Sequence, residues 1–227
     1  YNQFSQEILN SKGELYKFKS DIIFLILDTR SILGDLFFSP YSVTVKERQN
    51  FIKNQIQNIT NLIEKISAFS NSKIIVTQLE IPSWSPYGIY ENKMEYGLKD
   101  MIRDFNKKLT EIVKKKSSTY VYDFNSFVMK YGSKNIFDYR QFFAGDIKIS
   151  LEFLPLFADE LLGFIKPIIG LNRKCLVLDL DNTLWGGVVG EEGLAEDGWL
   201  RKDEKEDSEG GDFTPPLPKK VADNFTQ

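Results

Sequence analysis

The feature that most constrains this sequence is a short apolar run that ends in two acidic residues. Residues 175–178 are apolar, Asp179 and Asp181 follow, and residues 182–187 read Asn-Thr-Leu-Trp-Gly-Gly. An apolar run of this length between polar residues predicts a strand buried in a parallel sheet. Asp179 would then lie at the carboxyl end of that strand, where open α/β sheets bind ligands. Two carboxylates, or one carboxylate and a backbone carbonyl if the chain bends, suit Mg²⁺ as ligands.

The same stretch resembles a known family. Residues 176–184, Leu-Val-Leu-Asp-Leu-Asp-Asn-Thr-Leu, resemble the first signature motif of the haloacid dehalogenase (HAD) superfamily of phosphotransferases. The sequence of residues 185–193, Trp-Gly-Gly-Val-Val-Gly-Glu-Glu-Gly, narrows the resemblance to the FkbH-like branch, HAD-IIIC. Members of that branch resemble phosphatases and are associated with loading a glyceryl unit, from a phosphorylated three-carbon acid, onto an acyl carrier protein. Polyketide biosynthesis is the setting that this resemblance implies.

The resemblance implies a role for each polar residue of the motif. Asp179 would be the nucleophile that forms an aspartyl-phosphate, and Asp181 would be the general acid/base. Mg²⁺ would be the cofactor, with Asp179 and Asp181 as metal ligands and Thr183 in the cofactor-binding site. Phosphoryl transfer mainly needs positioning and neutralisation of charge, which a carboxylate pair and a divalent cation supply. The implied partners are an acyl carrier protein and a phosphorylated three-carbon substrate.

Two other interpretations of the acidic pair are open. An Asp-x-Asp pair after an apolar strand is often no more than a solvated strand end. The stretch also fits an EF-hand-like calcium loop, with Asp181 at position 1, Gly186 at position 6 and Glu192 at position 12. Trp185 would then occupy a ligand position, and a strand rather than a helix would precede the loop, which disfavours this interpretation.

Composition excludes several classes of site. The sequence contains no histidine, which excludes Ser-His-Asp and Cys-His catalysis and every His-based metal site. With Cys175 as its single cysteine, the chain has no internal disulfide framework, and the cytoplasm is the expected compartment. The net charge of −3 argues against binding to nucleic acid or to an anionic membrane surface. No apolar run approaches the roughly 20 residues of a membrane span.

Apolar patterning before residue 170 alternates between strand and helix. Continuous apolar runs predict strands, and apolar residues at helical spacing predict amphipathic helices. The predicted strands cover 21–27, 73–79 and 119–124, the predicted helices cover 45–69, 95–115 and 151–165, and a short helical turn covers 127–131. We expect Pro167 to terminate the last helix. The fold class is therefore α/β, with a mostly parallel sheet and flanking helices in three layers, similar to SGNH or flavodoxin-like folds.

A second resemblance covers residues 1–170. This part, with Tyr-Asn-Gln-Phe at its start and Phe-Asp-Tyr-Arg-Gln at 137–141, looks like the SGNH-hydrolase-like domain that precedes the HAD domain in FkbH-like proteins. Residues 146–149 overlay the Asp-x-x-His block of an SGNH hydrolase, but Ile149 stands where the base would be. Thr29-Arg30 stands near the usual Asn, and the chain starts after the place of the nucleophilic Ser. We therefore expect a domain without esterase activity that supports the sheet or docks a partner.

Composition changes after residue 193. Residues 194–227 hold nine acidic and five basic residues and few apolar ones, so we expect an acidic, disordered tail. Its Pro-Pro-Leu-Pro-Lys-Lys stretch is a spacer or a ligand for an SH3-type groove. The expected organisation is an SGNH-like domain over 1–170, the start of a HAD domain over 171–193, and this tail. Since the later HAD motifs need a larger domain and the chain begins with Tyr1, we expect a fragment that is inactive alone.

A different class of function is also open, a non-catalytic α/β module that docks a carrier protein or a partner domain. Trp84, Tyr87 and Tyr90 lie in a long segment between predicted elements. Such side chains anchor interfaces, or they cover the edge of a sheet. The apolar strand over 175–180 lacks its HAD neighbours here, so we expect it to pack against residues 150–170 or to mediate self-association.

Overall fold

A three-stranded parallel sheet forms the centre of the computed structural model, which describes residues 4–145 and 147–171. The strands lie in the order β1-β2-β3 and cover Ile22–Leu25 (β1), Lys73–Thr77 (β2) and Thr119–Tyr122 (β3). Both pairs of strands are parallel, with Ile23 opposite Ile74 and Ile75 opposite Tyr120. The predicted α/β fold class with a parallel sheet is therefore confirmed.

Helices connect and flank these strands. The described residues form the helices Phe4–Leu9 (α1), Glu14–Lys17 (α2), Thr29–Leu33 (α3), Val45–Phe69 (α4), Leu98–Val113 (α5), Phe124–Tyr131 (α6), Ser133–Ile136 (α7), Tyr139–Gly145 (α8) and Leu154–Ile168 (α9). Short 3-10 helices cover Gly34–Phe37, Pro40–Ser42, Gly88–Lys93 and Leu151–Phe153. Within the described ranges, no helix is both long enough and apolar enough to cross a membrane. These elements belong to the first of two compact units, Tyr1–Ile168; of the second, Ile169–Gln227, only residues 169–171 are described.

The sheet separates two apolar clusters. Successive side chains of a strand point to opposite faces, and in β2 the buried Ile74 and Val76 join one cluster while Ile75 joins the other. The first cluster includes the apolar faces of α1, α4 and α5, and the second includes those of α6, α7 and α9. Each of the three β2 side chains is fully buried, which stabilises the fold by about 1.5–3 kcal/mol per side chain. The arrangement is helix, sheet, helix in three layers.

The longest helix begins and ends where the sequence predicts. At its start, Glu47 N donates to Thr44 Oγ1 at 3.3 Å, and Thr44 N donates to Glu47 Oε2 at 2.7 Å. This reciprocal pair is a capping box, which satisfies two backbone N–H groups at the helix N-terminus. Its buried residues recur at helical spacing, among them Ile52, Ile56 and Ile63.

A buried arginine joins α4 to two neighbouring loops. Arg48 Nη1 donates to Val43 O at 2.6 Å and to Pro40 O at 3.2 Å. Its Nη2 donates to Glu95 O at 2.9 Å and its Nε to Tyr96 O at 3.0 Å. The guanidinium thus fixes the segments before α4 and before α5 by binding four carbonyl oxygens.

Several element boundaries differ from the predictions. Strands β1 and β2 end earlier than predicted because side chains replace the next backbone partners: Leu27 N donates to Thr77 Oγ1 and Leu79 N to Asn106 Oδ1, both at 2.8 Å. The predicted turn at 127–131 is the end of an eight-residue helix, α6. Helix α9 begins at 154, after a 3-10 turn, and continues through Pro167 to Ile168. The prediction that Pro167 terminates it was wrong, because a proline in the last turn removes only one intrahelical hydrogen bond.

Candidate functional site

Charged side chains from three segments meet at the carboxyl edge of the sheet. Asp28 follows β1, Glu80 follows β2, and Lys148 lies between α8 and α9. Lys148 Nζ lies 2.7 Å from Glu80 Oε2 and 3.7 Å from Asp28 Oδ1. The side chains of Lys148 and Glu80 are 14% and 3% exposed, so the pair is largely removed from water. Ligand sites of α/β folds lie at this edge, because parallel strands bring their carboxyl ends together.

Polar side chains from neighbouring helices bind the backbone carbonyl oxygens of Leu79 and Glu80. Thr29 Oγ1 donates to Glu80 O at 2.9 Å. Asn106 Nδ2 and Asn125 Nδ2 both donate to Leu79 O, at 2.8 Å and 3.0 Å. These groups belong to α3, α5 and α6, so three helices hold the end of β2 in place. The backbone at Glu80 is therefore fixed by contacts from three helices.

Asp28 has a local role as well as its contact with Lys148. Its Oδ2 accepts hydrogen bonds from Ser31 N at 2.8 Å and from Ser31 Oγ at 2.9 Å, which caps the short helix α3. An aspartate at this position is a preferred N-cap residue. The other oxygen, Oδ1, is the one that faces Lys148.

Backbone pairing and aromatic rings position Lys148. Ile149 forms an isolated antiparallel bridge with Phe137, and Asp138 N donates to Lys148 O at 3.1 Å. Lys148 Nζ lies 5.2 Å from the ring centroid of Phe137 and 5.6 Å from that of Phe142. Cations are attracted to aromatic ring faces at such distances. The ammonium group is therefore held by two carboxylates and two rings.

One oxygen of this cluster lacks a donor. Glu80 Oε1 is buried and accepts no hydrogen bond from any described residue. Leaving a buried acceptor unpaired costs about 1–3 kcal/mol. Burial raises the pKa of the nearby Tyr139 hydroxyl, and the negative charge of Glu80 raises this pKa further. Asp28, Glu80 and Lys148 together carry one net negative charge, so the cluster can accept hydrogen bonds but has no spare cation of its own.

Exposed aromatic rings lie beside the charged cluster. Phe38 and Phe143 are 43% and 56% exposed, and their ring centroids are 6.3 Å apart. The Arg30 guanidinium carbon lies 5.9 Å from the centroid of Phe38 and 5.3 Å from that of Phe142. Phe142 in turn contacts Phe143 at 5.2 Å between centroids. These residues, Arg30, Phe38, Phe142 and Phe143, form the aromatic rim of the site.

Comparison with known families decides the ancestry of this domain. Residues 1–166 match the family described as FkbH, N-terminal domain. The chain belongs to the FkbH family. The resemblance drawn from the sequence is confirmed, and the match covers most of the chain.

A solved structure resembles this FkbH-family fold. It is the crystal structure of the N-terminal part of the protein BF1531 from Bacteroides fragilis, which contains a phosphatase domain and is complexed with Mg. The TM-score is 0.66 and the sequences are 24% identical, over 88% of this chain and 51% of that chain. At this identity the likeness shows the fold, and the chain spans about half the length of that structure. No curated protein matches the sequence.

Some of the residues that the sequence singles out lie within the described part of the chain, and others lie outside it. Asp179, Asp181 and Thr183 lie outside the described residues, as do the strand predicted over 175–180 and the tail over 194–227. Their predicted roles in an FkbH phosphatase site therefore stay predictions. Among residues 4–145 and 147–171, no group of three or more acidic, Cys or His residues could hold a metal ion.

The SGNH-like positions of this FkbH-family domain carry structural roles. Thr29, near the usual Asn position, is buried and clamps Glu80. In the block predicted to overlay Asp-x-x-His, Lys148 supplies the charged side chain, while Ile149 forms a backbone bridge and packs against the second apolar cluster. The predicted position of the hydrolase base therefore holds an apolar residue next to a lysine that is paired with two carboxylates.

The aromatic residues expected at a docking surface differ among themselves. Trp84 is half-buried and packs edge-on against Phe37, with ring centroids 5.3 Å apart. Tyr87 and Tyr90 are exposed, next to the 3-10 helix that covers Gly88–Lys93. Trp84 therefore packs against the first apolar cluster.

Sequence reasoning missed the Glu80–Lys148 pair. Glu80 follows the second apolar strand, so the rule that ligands bind at carboxyl ends could have found it. Lys148 gives no such signal, because it lies 68 residues further along the chain. The backbone bridge that places it forms only in the folded domain.

Proposed function

We propose that this chain is part of an FkbH-type phosphotransferase, in which residues 176–187 begin the phosphatase site and the α/β domain supports it without hydrolytic chemistry of its own. One observation supports assigning the chemistry to residues 176–187 rather than to the α/β domain. It is the pairing of Lys148 with two carboxylates at the carboxyl edge of the sheet. Lys148, next to the predicted position of the SGNH hydrolase base at Ile149, is neutralised by Glu80 and Asp28. The sequence contains no histidine to act as that base. The chemistry is therefore assigned to the acidic motif.

In this proposal each acidic residue of the motif has one task. Asp179 attacks phosphorus and forms an aspartyl-phosphate, while Asp181 protonates the leaving oxygen and later activates the attacking group. Two carboxylates are oxygen donors of the kind that Mg²⁺ prefers, so the donor set fits the metal. When bound, Mg²⁺ would neutralise charge on the phosphoryl group. The relative from Bacteroides fragilis, which contains a phosphatase domain complexed with Mg, supports this assignment.

The substrate and partner follow from family membership. We propose that the enzyme takes a three-carbon acid that carries an acyl phosphate as well as a phosphate ester. The thiol of an acyl carrier protein displaces the acyl phosphate to form the glyceryl thioester, and Asp179 takes the ester phosphoryl group, which water then releases as phosphate. The match of residues 1–166 to the FkbH N-terminal domain supports this proposal. The alternative, a non-catalytic docking module, keeps the same carrier protein as partner but assigns no chemistry to Asp179.

A graft separates the two functions. Residues 174–187 of this chain replace the matching stretch of an FkbH-family enzyme that loads its carrier protein, and the host enzyme with its own motif is the control. Mass spectrometry of the carrier protein then measures glyceryl transfer from phosphorylated glyceric acid with Mg²⁺. We expect transfer at a rate within about tenfold of the host, and a loss of more than roughly a thousandfold with Asp179→Asn. Equal transfer by the Asp179→Asn graft would contradict the proposal.

A further inference from the structure

A cavity of about 720 Å³ lies between β3 and α9. Its lining includes Tyr120 and Tyr122 of β3 and Asp159, Glu160 and Phe164 of α9. This volume is typical of sites for small molecules, which combine apolar walls with a few polar groups. We propose that the cavity binds a small organic ammonium ion, whose positive charge is held between the carboxylates and the aromatic rings.

Two regular elements place these side chains opposite each other. Tyr120 and Tyr122 are two residues apart in a strand, so their side chains point to the same face of the sheet, and both join the second apolar cluster. The rings of Tyr122 and Phe164 lie nearly perpendicular, at 87°, with centroids 5.7 Å apart. Leu156 and Ile168 add apolar walls from α9. A strand and a helix, rather than loops, therefore form the walls of the cavity.

A buried hydroxyl in this cavity has no partner. Tyr122 is 6% exposed and lines the cavity, and no described residue forms a hydrogen bond with its hydroxyl. Buried polar groups nearly always have a partner, which is the protein itself, water or a ligand. Thr119 Oγ1 is also buried and unpaired, but Thr119 does not line the cavity, because alternate side chains of β3 point to the opposite face of the sheet. The Tyr122 hydroxyl can accept a hydrogen bond from an ammonium N–H in the cavity.

The charges around the cavity favour a cation over an anion. Asp159 and Glu160 line the cavity, and Asp123 directly follows β3. Two cations lie nearby but do not line it: Lys130 forms an ion pair with Glu160, and Lys166 lies on α9. The five groups together carry one net negative charge. Asp159 forms no ion pair with a described residue, so a cation in the cavity would meet a carboxylate without a counter-ion.

The pKa of Tyr122 reflects the same excess of negative charge. Burial, followed by the negative charges of Glu160 and Asp123, raises the pKa of the Tyr122 hydroxyl to about 12, while the positive charge of Lys130 opposes them. Negative charges that disfavour a phenolate also disfavour an anionic ligand at the same place. A cation in the cavity would offset them.

The aromatic lining favours an organic cation over a metal ion. Ring faces attract ammonium groups that lie within about 6 Å of the ring centroid, and Tyr120, Tyr122 and Phe164 supply three rings. A metal ion needs several oxygen ligands, and in the described part of the chain no group of three or more acidic, Cys or His residues could hold one. The apolar walls suit the hydrocarbon part of an amine. The binding site does not depend on the proposed function, since it uses no residue of 176–187.

The test is a titration of the ¹⁵N-labelled chain with phenethylammonium at neutral pH, followed by NMR. We expect saturable shifts of the amides of residues 119–122 and 159–164, with a dissociation constant below roughly 1 mM. Two compounds of similar shape are the controls, the neutral 2-phenylethanol and the anionic 3-phenylpropionate. Both should bind at least about tenfold more weakly, because they lack the positive charge. Equal binding of the three compounds would mean an apolar cavity without preference for ammonium and would overturn the proposal.

Two variants locate the ligand. Gly163 lines the cavity, and a Cβ at this position would meet open space, so Gly163→Leu should fill the cavity and weaken binding by more than about tenfold while the domain stays folded. Asp159→Asn removes an exposed carboxylate and should weaken binding by roughly threefold, and it keeps the test valid if Gly163→Leu fails to fold. The control is Glu111→Gln, which makes the same change of charge at an exposed position of α5 and should leave binding unchanged.

Three further results would overturn the inference. No saturable shift with phenethylammonium would mean that no amine enters the cavity, and unchanged affinity in both Gly163→Leu and Asp159→Asn would place the ligand elsewhere. Tighter binding of N-acetyl-lysine methylamide than of phenethylammonium would mean that the cavity takes a lysine side chain of a partner protein rather than a small molecule. Asp179→Asn should bind phenethylammonium normally, so failure of amine binding and failure of the graft assay are distinguishable.

Discussion

Lys148 donates a hydrogen bond to Glu80 at 2.7 Å and so joins two residues that are 68 positions apart in the sequence. The pair lies at the edge of the sheet where α/β proteins place their reactive groups. A lysine shared between Glu80 and Asp28 is a poor anion site, because its charge is already neutralised. The carboxyl edge of this domain is therefore polar and rich in hydrogen-bond acceptors.

Removal of the Lys148 ammonium should destabilise the domain. In Lys148→Met the buried Glu80 carboxylate loses its counter-ion, and we expect the free energy of unfolding to fall by about 3 kcal/mol. Urea denaturation measures this change. The double variant Lys148→Met/Glu80→Gln should recover more than half of the loss, because no buried charge remains. As a control, Lys116→Met breaks the more exposed pair with Glu64 and should cost less than about 1 kcal/mol. Equal costs at the two lysines would contradict the buried-pair interpretation.

Replacement of Arg48 by lysine should also be costly, although the charge is kept. The guanidinium binds four carbonyl oxygens around the starts of α4 and α5, and an ammonium group has only three donors on a single nitrogen. We expect Arg48→Lys to lower the free energy of unfolding by about 2–4 kcal/mol. Arg103→Lys, at an exposed position, is the matched control and should change it by less than about 0.5 kcal/mol. A tolerated Arg48→Lys would mean that the loop carbonyls find other donors.

These two residues show where sequence reasoning succeeds and where it stops. Continuous apolar runs placed all three strands, and helical spacing placed α4 with its correct ends. The same patterns say nothing of Arg48, which lies on α4 but is buried because loops distant in sequence fold over it. The strand ends were missed for a related reason, since Thr77 and Asn106 take backbone N–H groups that a longer ladder would use.

The candidate site was predictable only in part. Resemblance to a motif supplied Asp179, Asp181 and Thr183, because the motif is contiguous in the chain. The Glu80 cluster is assembled from three separate segments, so no local pattern contains it. The geometry of this cluster depends on hydrogen bonds from the Asn106 and Asn125 amides to Leu79 O. The sequence does not indicate which backbone group either amide will bind.

The stability contributed by Glu91 should depend on pH. Burial acts to raise the pKa of Glu91, but hydrogen bonds from Ser85, from the Lys99 backbone N–H and from Tyr41 outweigh it and hold the pKa below its ordinary value of 4.5. A lowered folded-state pKa gives stability that is present above pH 4.5 and is lost as the pH falls through the folded value. Urea titrations at pH 7 and pH 3 should therefore show a smaller gap between wild type and Glu91→Gln at pH 3. A gap that does not narrow would contradict this linkage.

Two glycines should respond to alanine in opposite directions. A Cβ at Gly97 would lie 2.5 Å from Glu91 Oε1 and 2.6 Å from the Tyr41 hydroxyl, both held by hydrogen bonds. We expect Gly97→Ala to destabilise the domain by about 1–3 kcal/mol. Gly163 lies in α9 with open space around a Cβ, so Gly163→Ala should stabilise it by about 0.5–1 kcal/mol. Thermal unfolding of both variants checks the prediction, and a shift of the same sign in both would contradict it.

The most direct test of the claim that residues 176–187 carry the chemistry is to find which residue becomes phosphorylated. The enzyme carrying residues 174–187 of this chain is mixed with phosphorylated glyceric acid and Mg²⁺, quenched in acid, and digested for peptide mass spectrometry. We expect a phosphoryl group on Asp179, and more of it in Asp181→Asn, because the second step then lacks its general base. A phosphoryl group on any other residue, or none on Asp179 while glyceryl transfer continues, would contradict the assignment of the chemistry to this motif.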